Sequence, residues 1–320
     1  MFFSVIIPVF NRSEEIVELL HSLCLQDCSD FEVIVVDDGS DPPCQSQVDF
    51  FLDKLPISYF HINNIGQGFA RNFGIEKAQG QYFVFFDSDC VIPPSYFSIL
   101  KKAIEERGLD AHGGPDAASD DFSLQQKAMD FAMTSLWTTG GIRGRLNDPA
   151  KFQARGFNMG FSAQVYQQVG GFFDPNRAED IEISIRIKDA GFKLELVQEA
   201  YVYHKRKNSF QSFVRQGFNF GKNRVNVSRF HPRAIKAIHL LPSLFLLFLL
   251  ALPFTAILNQ GLFRMQILGL GFWGLAVLIH ATMKHESLIV GFFALVYSIS
   301  QLAAYGFGLL SEYLVKVTKG

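Results

Sequence analysis

Residues 81–89 read QYFVFFDSD, an apolar run of strand length that ends in two carboxylates, Asp87 and Asp89. A continuous apolar run is typical of a parallel strand whose two faces are both covered by helices. In open α/β sheets, ligands bind just beyond the carboxyl ends of such strands. Two carboxylates at that point suit a hard cation that is bound together with a phosphate ligand. The alternative is a polar turn in which Asp87 only caps the following helix.

The sequence before this stretch repeats the pattern of a strand followed by polar residues. Further strands are predicted over residues 3–10, 32–36 and 57–62. Asn11 follows the first of them, and Asp37 and Asp38 follow the second. Because right-handed β-α-β connections bring the carboxyl ends of parallel strands to one edge of the sheet, these polar residues are expected to converge. The pattern predicts an α/β fold with a nucleotide pocket.

A glycine-rich segment, Gly66-x-Gly68-x-x-Arg71, follows the third predicted strand. It differs from a dinucleotide fingerprint, because Arg71 stands where the third glycine is required and the segment does not follow the first strand. Backbone N–H groups at the start of a helix suit an anion, and Arg71 is a candidate phosphate partner. A helix cap with a surface arginine is the alternative.

Composition divides the chain into two parts. The net charge is −2, yet between Ala200 and His285 there are eleven Lys or Arg and no Asp or Glu. The four cysteines all lie in the first third and contain no CxxC pair, which favours reduced packing residues over a zinc site. Residues 1–3 run into a strand without a basic leader segment, so the N-terminal domain is expected in the cytosol.

Four motifs, in this order and spacing, resemble the family 2 glycosyltransferases. They are VIIPVFN at 5–11, VVDDGS at 35–40, ARNFG at 70–74 and DSD at 87–89. The resemblance implies a GT-A fold, which is a Rossmann-like, mostly parallel sheet that binds a nucleotide sugar. It also implies inversion at the anomeric carbon and dependence on Mg²⁺ or Mn²⁺.

Two later segments extend the resemblance. FNMGFS at 157–162 is similar to the segment beside the donor sugar and acceptor, although the family more often has Ala or Ser where Gly160 stands. AEDIEISIR at 178–186 resembles the family's Glu-Asp segment, in which the aspartate is the catalytic base, here Asp180. An acidic first helical turn, favoured by the helix dipole, is the alternative and applies most readily to Glu179 and Glu182.

The resemblance assigns a role to each candidate site residue. Nucleotide and donor binding falls to Pro8, Phe10, Asn11, Asp37, Asp38, Gly66, Arg71, Asp87 and Ser88. Asn158 and Glu179 are assigned to the donor sugar and acceptor, Asp180 to proton abstraction, and Asp89 and His204 to the metal. A metal at Asp89 would neutralise the diphosphate leaving group as Asp180 accepts the acceptor's proton. A structural role is the alternative for His204.

Three apolar segments in the C-terminal third, at 240–258, 265–283 and 288–310, are each about long enough to cross a bilayer. The domains predicted are a cytosolic GT-A domain over 1–205, a basic amphipathic juxtamembrane segment over 206–238, and a membrane domain over 239–312 with two or three spans. The positive-inside rule places the basic side in the cytoplasm. The third segment is alternatively tilted or re-entrant.

The predicted substrates follow from this organisation. The donor is expected to be a UDP-, GDP- or dTDP-sugar, and a catalytic domain tethered at the bilayer suits a lipid-linked glycan acceptor; no nucleic-acid partner is expected. Processive synthases of the family carry Gln-x-x-Arg-Trp, which is absent here, so few transfers per acceptor are expected. A polyprenyl-phosphate sugar synthase and a membrane scaffold with a nucleotide-sugar-binding domain are the alternatives. Loops at 111–121 and 138–149 are either mobile lids or ordinary surface loops.

Overall fold

The computed structural model describes residues 1–117, 123–139, 152–204 and 209–319. These residues form two compact units. The first combines 1–117 with 152–204, and the second combines 123–139 with 209–319. The first unit therefore differs from the predicted domain 1–205, because the segment 123–139, which interrupts it in sequence, packs with the C-terminal helices.

Ten strands lie among the described residues, and all belong to the first unit. In chain order they are β1 (Phe3–Val9), β2 (Phe31–Asp38), β3 (Ile57–Ile62), β4 (Tyr82–Phe86), β5 (Cys90–Val91), β6 (Ala111–Gly113), β7 (Asp116–Ala117), β8 (Asn158–Ser162), β9 (Leu194–Leu196) and β10 (Val202–His204). Seven of them form one sheet in the order β3-β2-β1-β4-β8-β6-β9. The other three form a small sheet in the order β5-β10-β7.

The first four strands pair in parallel, as the apolar runs predict. β8 is antiparallel to both β4 and β6, so the sheet is mixed and dominated by parallel pairs. β1, β2 and β4 are buried along their whole length. Their continuous apolar character follows from this two-sided burial. The prediction of a mostly parallel α/β sheet is confirmed.

The α-helices among the described residues are α1 (Ser13–Cys24), α2 (Gln45–Asp49), α3 (Gln67–Lys77), α4 (Tyr96–Arg107), α5 (Leu124–Thr134), α6 (Leu136–Thr139), α7 (Ala163–Val169), α8 (Glu179–Asp189), α9 (Phe210–Phe230), α10 (Leu241–Leu258), α11 (Gln260–His285) and α12 (Leu288–Lys319). Helices of the first unit cover both faces of the sheet. Leucines of α1 and Phe97 of α4 pack on one face of the sheet. Ala70 of α3 and Ile183 of α8 pack on the other face.

Part of the segment 111–121, which the sequence leaves as a lid or a surface loop, forms strands β6 and β7. Residues 118–121 of it lie outside the described residues, as does 140–149 of the second predicted lid. In the small sheet, β10 pairs antiparallel to β5 with His204 opposite Cys90. This pairing brings the backbone of a candidate metal ligand next to the residue that follows Asp89.

The second unit is built around α12, which contacts α5, α9, α10 and α11. Glycines bring the helix backbones close together. A Cβ atom added at Gly221 of α9 would lie 2.0 Å from the Tyr305 carbonyl of α12, and one added at Gly306 of α12 would lie 2.5 Å from the Pro242 carbonyl of α10. Such small-residue contacts are common where helices pack in membranes.

Three helical segments, Ala237–Leu258, Gln260–His285 and Leu288–Thr318, are long and apolar enough to cross a membrane. Along α10 and α11 many large apolar side chains are exposed, among them Ile257 at 83% and Leu268 at 73%. Apolar surface of this extent is typical of lipid-facing helices. α12 is more covered, because α5 and α9 both pack along it. Residues 206–208 of the predicted juxtamembrane segment lie outside the described residues, and α9 forms much of the remainder.

Candidate active site

The polar residues after β1 and β2 meet at one edge of the sheet, because these strands run parallel. The Asn11 N–H donates to Ser40 Oγ at 2.9 Å, and Asn11 Oδ1 accepts from the Asp41 N–H at 2.9 Å. Asn11 has a φ of 52°, in the left-handed region that asparagine tolerates better than most residues. Beside it Phe10 is 49% exposed, whereas Pro8 is buried within β1.

Asp37 is fully buried and supports the loop after β2. Its carboxylate accepts hydrogen bonds from the N–H groups of Ser40 and Cys44, both at 2.9 Å, and from the Tyr59 hydroxyl at 2.7 Å. Burial alone would raise the pKa of Asp37, but hydrogen bonds, first that of the Ser40 side chain and then those of the Cys44 N–H and the Tyr59 hydroxyl, outweigh it and lower the pKa. The structure therefore gives Asp37 a loop-holding position, with no exposed surface for the predicted nucleoside contact.

Asp38 joins the end of β2 to the glycine segment. Its two carboxylate oxygens accept from the Ile65 N–H at 2.7 Å and the Gly66 N–H at 2.9 Å. Burial raises the pKa of Asp38, and the two amides only partly oppose that effect. Gly66 has a φ of +90°, and an added Cβ would lie 2.6 Å from Pro175 Cβ, so only glycine suits this position.

Arg71 lies inside the protein, with no exposed side-chain surface. Its Nη2 donates to Asp87 Oδ1 at 2.8 Å, and its Nη1 donates to Glu179 Oε1 at 3.0 Å. A third contact runs from Nη2 to the Gly156 carbonyl at 3.3 Å, and the guanidinium lies 5.5 Å from the centre of the Phe172 ring. Neither the predicted phosphate contact nor the alternative of a surface arginine describes this position.

The two aspartates after β4 are both bonded to arginines. Asp87 bonds to Arg71, and its side chain is 29% exposed. Asp89 pairs with Arg12 and is 11% exposed. Ser88 between them is buried. The two predicted donor-side carboxylates therefore lie at the edge of the sheet, where each negative charge has a cationic partner.

The described residues include no ready-made group of three or more His, Cys, Asp or Glu side chains that could hold a metal. Mg²⁺ in phosphate sites needs no such cage, since one or two carboxylates and the substrate phosphates commonly suffice. Asp87 and Asp89 supply the required oxygen donors at the end of β4. His204 lies on the strand paired with β5, opposite Cys90. The two carboxylates thus fit a divalent cation that is bound with a diphosphate.

The Glu-Asp pair begins α8. Glu179 is buried, and its Oε1 accepts from both Arg71 and the Gln67 side chain. Burial, followed by the charge of Asp180, raises the pKa of Glu179 to about 7, although Arg71 opposes the shift. Asp180 is half-buried, and its Oδ2 accepts from the Gly156 N–H at 3.2 Å. The structure thus brings the candidate base into one bonded group with Arg71 and Asp87.

Asn158 does not join that group. It is fully buried, its Nδ2 donates to the Ala200 carbonyl at 2.8 Å, and its Oδ1 accepts from the Tyr96 hydroxyl at 2.6 Å. The amide is used inside the protein, so the predicted sugar contact is not available to this side chain. Its hydrogen bonds instead fix the segment that leads into β10 and His204.

A buried chain of polar groups explains the glycine at 160. Because the Tyr96 hydroxyl donates to Asn158, His112 Nε2 must donate to Tyr96 at 3.1 Å, which leaves His112 Nδ1 to accept from Tyr82 at 3.0 Å. Burial lowers the pKa of His112 to about 3, so the ring is neutral. A Cβ at Gly160 would lie 2.4 Å from the Phe83 carbonyl oxygen and 2.6 Å from His112 Cε1. The backbone of β4 and the imidazole together therefore occupy the space that Ala or Ser would need.

Three residues of this region were not assigned from the sequence. Arg12 directly follows the first motif, but nothing in the local sequence indicates that Asp89 is its partner. Gly156 and His112 carried no local signal. The contact from Arg71 to Gly156 spans 85 positions, and the contact from His112 to Tyr82 spans 30, so only the folded chain shows them.

A mostly parallel sheet with acidic residues at its carboxyl edge is typical of the GT-A class of nucleotide-sugar-binding folds. The family model "Glycosyl transferase family 2" matches residues 4–170, slightly more than half of the chain. The chain therefore belongs to glycosyltransferase family 2, and the resemblance seen in its motifs is confirmed.

Individual relatives match parts of the chain that differ widely in length. An "Uncharacterized glycosyltransferase" of Rickettsia bellii is 39% identical over 106 residues, which are 33% of this chain and 15% of that protein. "Glycosyltransferase AglE" of Haloferax volcanii is 27% identical over 234 residues, covering 71% of this chain and 74% of the relative. The mannosyltransferase PcManGT of Pyrobaculum calidifontis, solved with GDP-Man and Mn²⁺, has a TM-score of 0.61 at 17% identity. That match covers 96% of this chain and 86% of PcManGT and supports the fold.

Proposed function

We propose that this protein is an inverting, divalent-metal-dependent glycosyltransferase. It moves a sugar from a nucleoside-diphosphate sugar to a hydroxyl group of a lipid-linked glycan. The observation that carries the proposal is the Arg71 bridge, which joins Asp87 at the end of β4 to Glu179 at the start of α8. Because of it, the donor-side carboxylates and the candidate base Asp180 belong to one site.

On the donor side, Asp89 with Asp87 and His204 would hold Mg²⁺ or Mn²⁺. When bound, the cation supplies a Lewis acid that neutralises charge on the diphosphate leaving group. The complex of PcManGT with GDP-Man and Mn²⁺ supports this choice of donor and metal. Phe10, Asn11, Asp38 and Gly66 surround the edge where the nucleoside would lie, with Pro8 and Asp37 supporting their loops. The arginine beside Asp89 keeps that carboxylate paired in the free protein.

On the acceptor side, Asp180 is the candidate general base. The acceptor oxygen forms a bond to the anomeric carbon while the bond from that carbon to the diphosphate breaks. The hydroxyl proton passes to Asp180, and the nucleoside diphosphate leaves on the opposite face, so the configuration inverts. The Gly156 N–H fixes one oxygen of Asp180, which suits a base whose effect depends on positioning.

The second unit supports a lipid-linked acceptor. α10 and α11 expose apolar side chains along their length, and the preceding α9 carries Arg215, Lys222, Arg224 and Arg229. Basic residues flanking a membrane helix favour the cytoplasmic side, where nucleotide sugars are made available. We therefore infer that the first unit lies on the cytoplasmic side of the membrane, where a lipid-linked glycan would be within reach.

Asp180→Asn tests the catalytic assignment. We expect turnover to fall by about 10²–10⁴-fold, since that is the usual contribution of a general base. Donor binding, measured by calorimetry, should be unchanged, because the amide keeps the shape of the side chain. Asp189→Asn, at the exposed end of the same helix, is the matched control and should remain active. Preserved turnover in Asp180→Asn would reject Asp180 as the base and favour a polyprenyl-phosphate acceptor, whose phosphate needs no base.

A substrate panel tests the rest of the proposal. Thermal stability measured with UDP-, GDP- and dTDP-sugars and Mn²⁺ should rise with one donor class, because ligand binding stabilises the folded state by mass action. Transfer from that donor is then compared for lipid-linked and water-soluble glycans. Transfer to soluble glycans alone would contradict the lipid-linked acceptor. Donor binding without transfer to any acceptor would instead support a scaffold.

A further inference from the structure

Arg71 occupies an unusual place for a residue of a glycine-rich, anion-suited segment. Its guanidinium has no exposed surface, and its two terminal nitrogens bond to carboxylates from different parts of the chain. Asp87 follows the strand that carries the donor-side aspartates. Glu179 directly precedes the candidate base. A single rigid, planar cation thus bridges the two halves of the proposed site.

The Gly156 peptide extends this bridge to the base itself. Its carbonyl accepts from Arg71 Nη2 at 3.3 Å, and its N–H donates to Asp180 Oδ2 at 3.2 Å. A Cβ at position 156 would lie 2.7 Å from Arg71 Nη2 and 2.9 Å from Nη1. Glycine is therefore required for the guanidinium to approach the peptide that orients Asp180.

We propose that Arg71 is a positioning residue. It holds Asp180 at a fixed position relative to the donor-side carboxylate Asp87, and it acts through Glu179 and the Gly156 peptide. This inference rests on the proposed function. It replaces the phosphate contact expected for Arg71, because a guanidinium without exposed surface, already bonded to two carboxylates, has no face to offer a diphosphate.

A second arginine, which is only partly exposed, provides a comparison on α8. Arg186 donates to both oxygens of Glu182 at 2.7 and 2.6 Å and to the carbonyls of Val169 and Gly171. It therefore resembles Arg71 in its pairing with a buried glutamate and in its bonds to backbone carbonyls. None of its bonds reaches a residue of the proposed site. A change at Arg186 reports the cost of disturbing such an Arg–Glu pair without disturbing Asp180.

The test compares Arg71→Lys and Gly156→Ala with Arg186→Lys. Lysine keeps the charge of Arg71 but cannot bond two carboxylates in a fixed fork. Gly156→Ala keeps the arginine, but its added methyl group displaces the guanidinium from the Gly156 peptide. We measure kcat, donor Kd by calorimetry, melting temperature, and the pH dependence of kcat for the full-length enzyme in detergent or nanodiscs.

A positioning role predicts a specific set of results. Both Arg71→Lys and Gly156→Ala should lower kcat by about 10²-fold, the loss typical of a displacement of about 1 Å. Their donor Kd should match that of the wild type, and the acidic limb of the pH profile should move. Arg186→Lys should keep the kcat and pH profile of the wild type, even if its melting temperature falls by as much as those of the two site variants.

Other results overturn the inference. A weakened donor Kd in Arg71→Lys would make Arg71 a phosphate ligand. Unchanged kcat in both site variants, or an equal loss in Arg186→Lys, would make it a structural residue only. A wild-type protein that binds donors and transfers to no acceptor would reject the proposed function itself, and this result is distinguishable from the others because it does not depend on any variant.

Discussion

Asp89 in the free protein is paired with Arg12, so a cation that binds there must displace an existing charge partner. Arg12→Gln should therefore tighten Mn²⁺ binding in the absence of nucleotide. The pair is partly exposed, so the expected gain is about two- to fivefold, in line with surface ion pairs. Electron paramagnetic resonance of free Mn²⁺ measures the affinity directly. Lys101→Gln, which removes a partly exposed partner of Asp30, is the control. Weaker Mn²⁺ binding in Arg12→Gln would contradict competition.

Glu179 gives the folded state a dependence on pH. Its pKa is raised by burial and by Asp180 and is opposed by Arg71, with Gln67 also bonded to its carboxylate. The pKa of Glu179 is higher in the folded state than in the unfolded state. The contribution of Glu179 to stability is therefore complete below the unfolded-state pKa and is lost as the pH rises through about 7. Between pH 5 and 8 the free energy of unfolding should fall by an amount on the order of 3 kcal/mol through this group.

Chemical denaturation of Glu179→Gln at several pH values tests this dependence, because the variant should have a flatter pH profile than the wild type. Glu195→Gln is the control. The pKa of Glu195 is lowered, chiefly by its hydrogen bond from Arg107, so its contribution is lost only on acidification below the ordinary carboxyl range. Glu195→Gln should leave the slope of the free energy of unfolding against pH unchanged between pH 5 and 8. An unchanged slope in Glu179→Gln would contradict the raised pKa.

The site residues divide into those that local sequence could predict and those that it could not. Asp87, Asp89 and the Asp37-Asp38 pair follow apolar runs, so their position at the sheet edge depended on short-range pattern alone. The direction of a side chain depends on distant partners. Arg71 points inward because Glu179, 108 positions away, and the Gly156 carbonyl accept its hydrogen bonds. Asn158 points inward because Tyr96 and Ala200 bond its amide.

Helix α9 packs on α12 through glycines whose tolerance to substitution should differ. A Cβ at Gly221 would lie 2.0 Å from the Tyr305 carbonyl, which is backbone and cannot move away without shifting the helix. A Cβ at Gly217 would lie 2.9 Å from the end of the flexible Gln301 side chain. Gly221→Ala should therefore loosen the pair of helices, whereas Gly217→Ala should be tolerated.

Hydrogen exchange of α9 in detergent measures this difference. We expect faster exchange across α9 in Gly221→Ala and near-wild-type protection in Gly217→Ala. Overpacking of this kind typically costs about 1–3 kcal/mol, which corresponds to a large increase in local opening. Equal protection in the two variants would show that the close approach of the helix backbones contributes little.

Some strands and helices can be predicted from the sequence, and others cannot. The third strand was predicted over 57–62 and is observed as Ile57–Ile62, because turn residues bound a short run on both sides. The strand at 111–113 was not predicted, since its glycines suggest a loop and its pairing comes from β8 and β9. The place of α5 in the second unit could not be predicted either, because its apolar partners lie far along the chain.

The charges along α12 favour two membrane crossings over three. α9 runs beside α12, with contacts from Gly217 to Gln301 and from Arg229 to Glu312. Lys222 also pairs with Glu312. If α12 crossed the bilayer, these charged groups of α9 would be drawn into the hydrocarbon region, which is costly. We therefore expect α10 and α11 to cross the membrane and α12 to lie at its surface.

Reporter fusions test this topology. A fusion after residue 259 should report the side opposite to the N-terminal unit, and one after residue 286 should report the same side; both outcomes hold for either number of crossings. A fusion after residue 320 decides between them. Two crossings place it on the side of the N-terminal unit, whereas three place it on the opposite side.

The separation of α5 from its partners in sequence has a consequence for biosynthesis. Its apolar residues Ala128, Met129, Phe131, Ala132 and Met133 are buried with residues of α9, α11 and α12. About 150 residues separate the end of α5 from the start of α12, so at roughly 5–20 residues per second a ribosome needs on the order of ten seconds or more to supply them. During that interval the nascent chain contains an apolar helix whose packing partners have not yet been synthesised. Recruitment to the membrane-insertion machinery before translation ends would shelter it, whereas delayed delivery would expose the half-made protein to aggregation.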